Sequence, residues 1–293
     1  MGNTKRYISL LLITLISLNA WPADLAAQED AGGTKEVASG TRQTMLVLGG
    51  GLGQGKFRDD GTAPFAYKGL LLPTDLGLKW LGKRGNSFSI ISSTSVGVYR
   101  QAMAKEFSLD AYDVFNTFRI KLERGIDNYS IGLSLTNFLD ATVNPSYENA
   151  AVGVSDFFGL ELSVGARVRT DQYFKGKFWS NKAVHGEFVF MPVAGVVRPG
   201  YAYIDNYTST NNVVRAQFSD YNITLQPFAA MATDVGFDIF PDQFSKISFS
   251  YRWSFHMFDK VSMHLDENYG GSSPFRHAYH TLVVDFFINL KSK

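Results

Sequence analysis

The sequence predicts an all-β chain folded as a closed antiparallel transmembrane β-barrel of about ten strands, with eight or twelve as alternatives. Three observations predict it. Residues 247–257, I-S-F-S-Y-R-W-S-F-H-M, put Ile247, Phe249, Tyr251, Trp253, Phe255 and Met257 at odd positions and Ser248, Ser250, Arg252, Ser254 and His256 at even ones. A strand sends alternate side chains to opposite faces, so this segment has one apolar and one polar face. The same alternation recurs from Gln43 onward in runs often longer than a dozen residues. Strands of soluble sheets average about six residues, and a strand that crosses a bilayer needs about 9–11. Finally, the connections alternate between short and long, as in a barrel with turns on one side of a membrane and loops on the other.

Composition limits the other classes. A chain of 293 residues holds one large domain or two small ones. Charged residues make up 19% and aromatic residues 14%, with 24 Phe and 14 Tyr, and the net charge is +1. No nucleic-acid partner is expected from so balanced a charge. The absence of cysteine excludes a disulfide scaffold, thiolate metal sites, a cysteine nucleophile and a lipidated Cys.

Lys5 and Arg6, the apolar run 8–18 and Leu25-Ala26-Ala27 before Gln28 make residues 1–27 an expected cleaved signal peptide. Residues 28–42 read as a polar linker and 43–293 as the barrel. No later run reaches the roughly 18 apolar residues of a membrane helix, so strands must carry the chain into the membrane.

The elements follow in order. Residues 43–56 set Leu46, Leu48 and Leu52 against Gly49, Gly51, Gly53 and Gly55, and Asp59-Asp60-Gly61 turns the chain. Residues 66–82 alternate Leu70, Leu72, Leu76, Leu78 and Trp80 with Asp75, Gly77 and Lys79. Residues 87–101 are serine-rich, with Phe88, Ile90, Val96 and Val98 on the apolar face. Residues 113–124 and the strand from Tyr129 form a hairpin around Gly125-Ile126-Asp127-Asn128. A loop near Asn144-Pro145 leads to a strand at 152–170. The connection 170–182 carries Tyr173, Phe174, Phe178 and Trp179, a mix suited to a membrane interface. It is longer than its position requires.

Residues 184–204 hold Pro192 and Pro199, which imply an edge, bulge or bend. One long strand is expected over 217–240, with Tyr221, Ile223 and Leu225 opposing Asn222, Thr224 and Gln226. Pro241-Asp242 leads into 247–257, a long loop covers 259–275, and a last strand covers 278–290.

That last strand ends Phe286-Phe287-Ile288-Asn289-Leu290. It resembles the C-terminal strand of bacterial outer-membrane proteins, with Lys291-Ser292-Lys293 following where that class commonly stops on an aromatic residue. The resemblance covers about residues 43–290. It implies the outer membrane of a Gram-negative cell as location, outer-membrane lipid as surroundings and the barrel-assembly machinery as a partner during biogenesis.

The polar face expected to line the lumen carries Asp75, Lys79, Arg119, Lys121, Glu123, Glu161, Arg167, Arg169, Asp234, Asp238, Arg252 and Asp285. Mixed charges in so narrow a barrel should pair, because unpaired buried charges are costly. The face expected to meet lipid carries Phe118, Ile120, Leu122, Ile131, Leu133, Leu160, Leu162, Phe249, Tyr251, Trp253, Phe255, Val284 and Phe286. Small barrels are filled by side chains, and wide aqueous pores need about 16–18 strands. The expected role is therefore porin-like only in a narrow sense: passage or binding of a small solute, or attachment at the cell surface.

Chemical motifs are weak. Gly49-Gly50-Gly51-Leu52-Gly53-Gln54-Gly55-Lys56 lacks the Ser or Thr that a phosphate loop needs after its lysine. A strand stripped of inward side chains explains it better. His256, His264, His277 and His280 crowd the last forty residues beside Asp259, Asp266 and Glu267, and read mainly as loop and interface histidines that bond water. Surface proteases of the omptin type are also ten-stranded barrels of this length. Their His-Asp dyad finds its nearest counterpart in His264-Leu265-Asp266, without the paired aspartates that the family carries. No catalytic residue, metal or cofactor is assigned. A rim-located hydrolase acting on peptide or lipid, and a soluble secreted β-sandwich, stand as the alternatives.

Overall fold

Adjacent antiparallel pairings organise the chain, and the pairing of first strand with last closes it. The computed structural model describes residues 43–290 apart from 60–62, 83–84, 105–106, 145–150, 177, 206–212, 218–229, 241–244, 259–261, 266–268 and 273–274. The expected signal peptide and linker lie outside the described residues.

The strands are β1 (Gln43–Asp59), β2 (Ala63–Leu81), β3 (Ser87–Ala104), β4 (Phe107–Ile126), β5 (Tyr129–Asn144), β6 (Ala151–Arg169), β7 (Lys182–Asp205), β8 (Val213–Gln217), β9 (Ala230–Ile239), β10 (Ser245–Phe258), β11 (Ser262–Leu265), β12 (Tyr269–Ser272) and β13 (Phe275–Asn289). Strand β1 pairs with both β2 and β13, and β6 pairs with β7, so the sheet closes on itself. Strands β8 and β9 pair with the same edge of β7, at Tyr201–Asp205 and Lys182–Met191 respectively. Together they supply the eighth of ten wall positions. The single strand expected over 217–240 is thus two described pieces, and Tyr221 to Gln226 lie outside the described residues. Closure removes the exposed strand edge that hydrocarbon does not tolerate.

Which face points where separates a membrane barrel from a soluble fold. Leu52, Leu70, Leu72, Leu76 and Leu282 are each more than half exposed, whereas Asp75 and Asp285 on two of the same strands are buried. A soluble protein has the opposite arrangement. The secreted β-sandwich is therefore excluded: the chain forms one closed sheet with its leucines outside and its carboxylates inside.

Local sequence accounts for the irregularities. The β6–β7 register slips by one residue opposite Met191-Pro192 and again opposite Arg198-Pro199. A proline cannot donate to the ladder, so it sits where a bulge removes the need. Between β4 and β5 only Asp127 and Asn128 are unpaired, and Asp127 takes φ 53°. Asp tolerates that left-handed conformation well enough for a tight hairpin. The connection 170–181 stays on the short-turn side and is elaborated rather than a missed hairpin. It starts with a 3-10 turn, Thr170–Gln172, and Thr170 Oγ1 donates to the carbonyls of Trp179 and Lys182 at 2.8 and 3.1 Å. In the 259–275 connection, β11 and β12 add a small hairpin to the long-loop side.

Candidate functional site

The interior is filled in two storeys, each built from the inward phase of the strands. Nearer the short turns lies an ion-pair network. Arg252 of β10 is its hub: its Nε donates to Asp234 at 2.9 Å, and its other guanidinium nitrogens bond Asp75 and Asp285. Asp234 is its direct cross-strand partner on β9. Asp75 and Asp285 reach it because both flank Gly49 in one row across β2, β1 and β13.

Arg119 forks onto Glu161 at 2.6 and 3.2 Å. Asp238 is fully buried and holds Arg167 at 2.5 Å, Lys246 at 3.3 Å and His185 at 3.2 Å. Lys121 bonds Glu187 and stands 3.8 Å from Glu123, which Lys79 also approaches at 3.4 Å. Arg169 stands apart from this network: it is half exposed and paired with Asp171 at 2.8 Å, because β6 ends there and the chain turns. Paired in this way, each charge repays part of the cost of leaving water.

Nearer the long loops lies an aromatic storey. Phe57, Tyr67, Leu71, Tyr99, Ala111, Phe115, Phe138, Phe157, Met191, Ala230 and Phe275 form one buried cluster with Tyr279 against it. His277 is fully buried in its midst, edge-on to Phe115 with centroids 4.5 Å apart. Its Nε2 lies 3.0 Å from the Tyr99 hydroxyl and 3.8 Å from Asp113 Oδ2. His256, its cross-strand neighbour, stacks on Phe138 at 4.4 Å. Both histidines are interior packing residues rather than water-bonding loop residues, because their parity turns them inward. His280, at the opposite parity, faces out and bonds the Tyr251 hydroxyl.

Between the storeys is a cavity of about 10 Å³ bordered by Arg119, Glu161, Ser254, His256 and Tyr279, room for about one water. Tyr99, His277 and Asp113 make a relay-like set packed within the buried aromatic cluster, and none of the three borders that cavity. Among the described residues no group of three or more His, Cys, Asp or Glu is placed to hold a metal ion. The side chain of His264 and all of Asp266, on which the hydrolase alternative turns, lie outside the described residues.

The outer face carries the thirteen positions expected to meet lipid. Phe118, Leu122, Ile131, Phe249, Tyr251 and Phe286 are exposed, and Ile120, Leu133, Leu160, Leu162, Trp253, Phe255 and Val284 share their phase with partial exposure. A small polar seam interrupts it: Asn116 donates to Ser92 Oγ at 2.6 Å and Thr94 Oγ1 at 2.7 Å, and Asn137 bonds Asp156. At the short-turn end Trp80 stacks on Phe88 at 5.1 Å, and Phe174 on Trp179 at 4.8 Å, as interfacial aromatics do.

Sequence reasoning missed the aromatic storey and His185. Phe57, Tyr99, Phe115, Phe138, Phe157 and Phe275 all occupy the polar phase of their strands. Large rings on that phase, concentrated toward the long connections, were the available signal.

No protein-family model matches the chain, and no curated protein matches it. Among solved structures it is similar to the outer membrane protease OmpT from Escherichia coli, at 9% identity and a TM-score of 0.51, covering 86% of this chain and 98% of that one. It also matches the translocator domain of the autotransporter NalP from Neisseria meningitidis, at 8% identity and a TM-score of 0.44, covering 86% of this chain and 89% of that one. At such identity the likeness to OmpT concerns the fold alone: the chain is a closed, ten-stranded antiparallel barrel of the kind that bacterial outer-membrane proteins build.

Proposed function

We propose that this protein is an outer-membrane barrel with a sealed lumen, acting at the cell surface through its long-loop end rather than as a pore. The observation that supports it is the double filling of the interior, with charged pairs below and packed rings above. A solute crossing the barrel would have to break both. Strands of up to 24 residues exceed the roughly 9–11 that a bilayer requires, so the barrel wall continues beyond the membrane and carries the long connections and the β11–β12 hairpin with it. Those connections are the natural place for contact with other molecules.

Single-channel recording of the full-length protein in planar bilayers tests this reading. A silent membrane is expected; regular conductance steps would overturn the sealed lumen and restore passage of a small solute.

A further inference from the structure

On the outer face, the apolar phase of four neighbouring strands changes to cations at one level toward the long loops. On β1, Leu48 and Leu52 give way to Lys56 and Arg58; on β2, Leu72 and Leu70 give way to Lys68. On β3, Val96 and Val98 give way to Arg100, and on β13 Leu282 gives way to Arg276, all of these cations being exposed.

The register sets like charge against like charge. Lys56 pairs directly with Lys68, Lys68 with Arg100, and Arg58 with Arg276. Like charges directly opposite each other in a sheet are destabilising. At the end of the row Asp110 lies 3.0 Å from Arg100. A sheet keeps such a row at low cost when anions from outside lie against it. The row borders the lipid-facing band, so the anions at hand are those of the membrane itself.

We infer that Lys56, Lys68 and Arg100 bind the phosphate-bearing headgroups of the leaflet around the long-loop end. The chemistry fits: lysine supplies a mobile point charge for phosphate and arginine a planar fork. Basic residues at a membrane surface attract anionic lipid. The site goes beyond the sealed-lumen reading and is independent of it, since it requires only that the barrel spans the bilayer.

The test uses the full-length protein in nanodiscs of phosphatidylcholine, with and without diphosphorylated lipid A. Two quantities are read: the lipid A retained per barrel and the temperature at which heat-modifiable mobility is lost. Wild-type protein should retain lipid A and unfold at a higher temperature in its presence, and added salt should weaken both effects. The triple variant Lys56→Gln/Lys68→Gln/Arg100→Gln should lose about five-fold in affinity per cation, on the order of a hundredfold in all. In phosphatidylcholine alone it should unfold at or above the wild-type temperature, because the opposed like charges are gone.

Lys56→Arg/Lys68→Arg should retain binding, as should Arg124→Gln, which removes an exposed cation near the short turns. Equal retention by the triple variant and the wild type would overturn the site. So would full protection by inorganic phosphate in place of lipid A.

Discussion

Gly49 stands between Asp285 and Asp75 in one cross-strand row, and the Asp285 carboxylate occupies the space that a side chain at position 49 would need. Arg252 bridges both carboxylates over this glycine. The substitution Gly49→Val should push Asp285 off the guanidinium and leave buried charge unpaired, at a cost of about 3–5 kcal/mol. Gly50 points outward, and its nearest neighbour to a new Cβ is 3.9 Å away. Gly50→Ala should therefore stay within about 0.5 kcal/mol of wild type. Urea titration of folding into lipid vesicles measures both.

Arg252 serves three carboxylates, so its removal should harm more than the removal of the whole group. Arg252→Met alone should destabilise by about 3–5 kcal/mol. Arg252→Met combined with Asp75→Asn, Asp234→Asn and Asp285→Asn should recover most of that loss. A combined variant no more stable than the single one would show that the charges contribute beyond mutual pairing.

The two storeys should seal the barrel independently. Phe138→Ala opens the aromatic layer at a cost of about 3–5 kcal/mol, and Arg252→Ala loosens the charged one. Each alone should remain silent in planar bilayers, whereas the double variant should conduct. Conductance in either single variant would mean that one layer carries the whole seal.

Tyr99 and His277 share a buried hydrogen bond of 3.0 Å. Tyr99→Phe keeps the ring and removes the hydroxyl, leaving an imidazole nitrogen short of a partner inside an apolar layer. The expected cost is about 1–3 kcal/mol, read as a lower unfolding temperature with unchanged silence in the bilayer.

The expected alternation of connection length holds only in part, since the connections 60–62 and 105–106 are as short as the turns at the opposite end. Orientation follows from 145–150, 206–212 and 259–274, which lie together at one end. Protease added to intact cells should cut within 145–150, 206–212 or 259–274, and spare 127–128 and 170–181. The opposite pattern would invert the barrel and remove the surface role.

Much of this was legible in the chain. The alternation over 247–257 sets which side chains share a face, because a strand has a period of two whatever surrounds it. The prolines at 192 and 199 announce an irregular strand, and both sit at register slips. The Gly49 to Gly55 run is readable as an inward face cleared for neighbours. Gly55 does lie under Leu71 and Tyr99, whose nearest atoms are 2.8 and 3.1 Å from where a Cβ at position 55 would stand. His256 and His277 were visible as residues but not as a stacked, buried pair, since nothing local pairs β10 with β13.

The sequence by itself determined that the chain is built of strands and which side chains share a face, because local periodicity carries both. That the leucines turn outward is a finding of the structure. Only the tertiary structure decided that Arg252 meets Asp75 from 177 positions away and that rings from β1 through β6 gather around His277. Such meetings depend on closure and on the register at which each strand joins the next, and register is a property of pairs of strands rather than of any one.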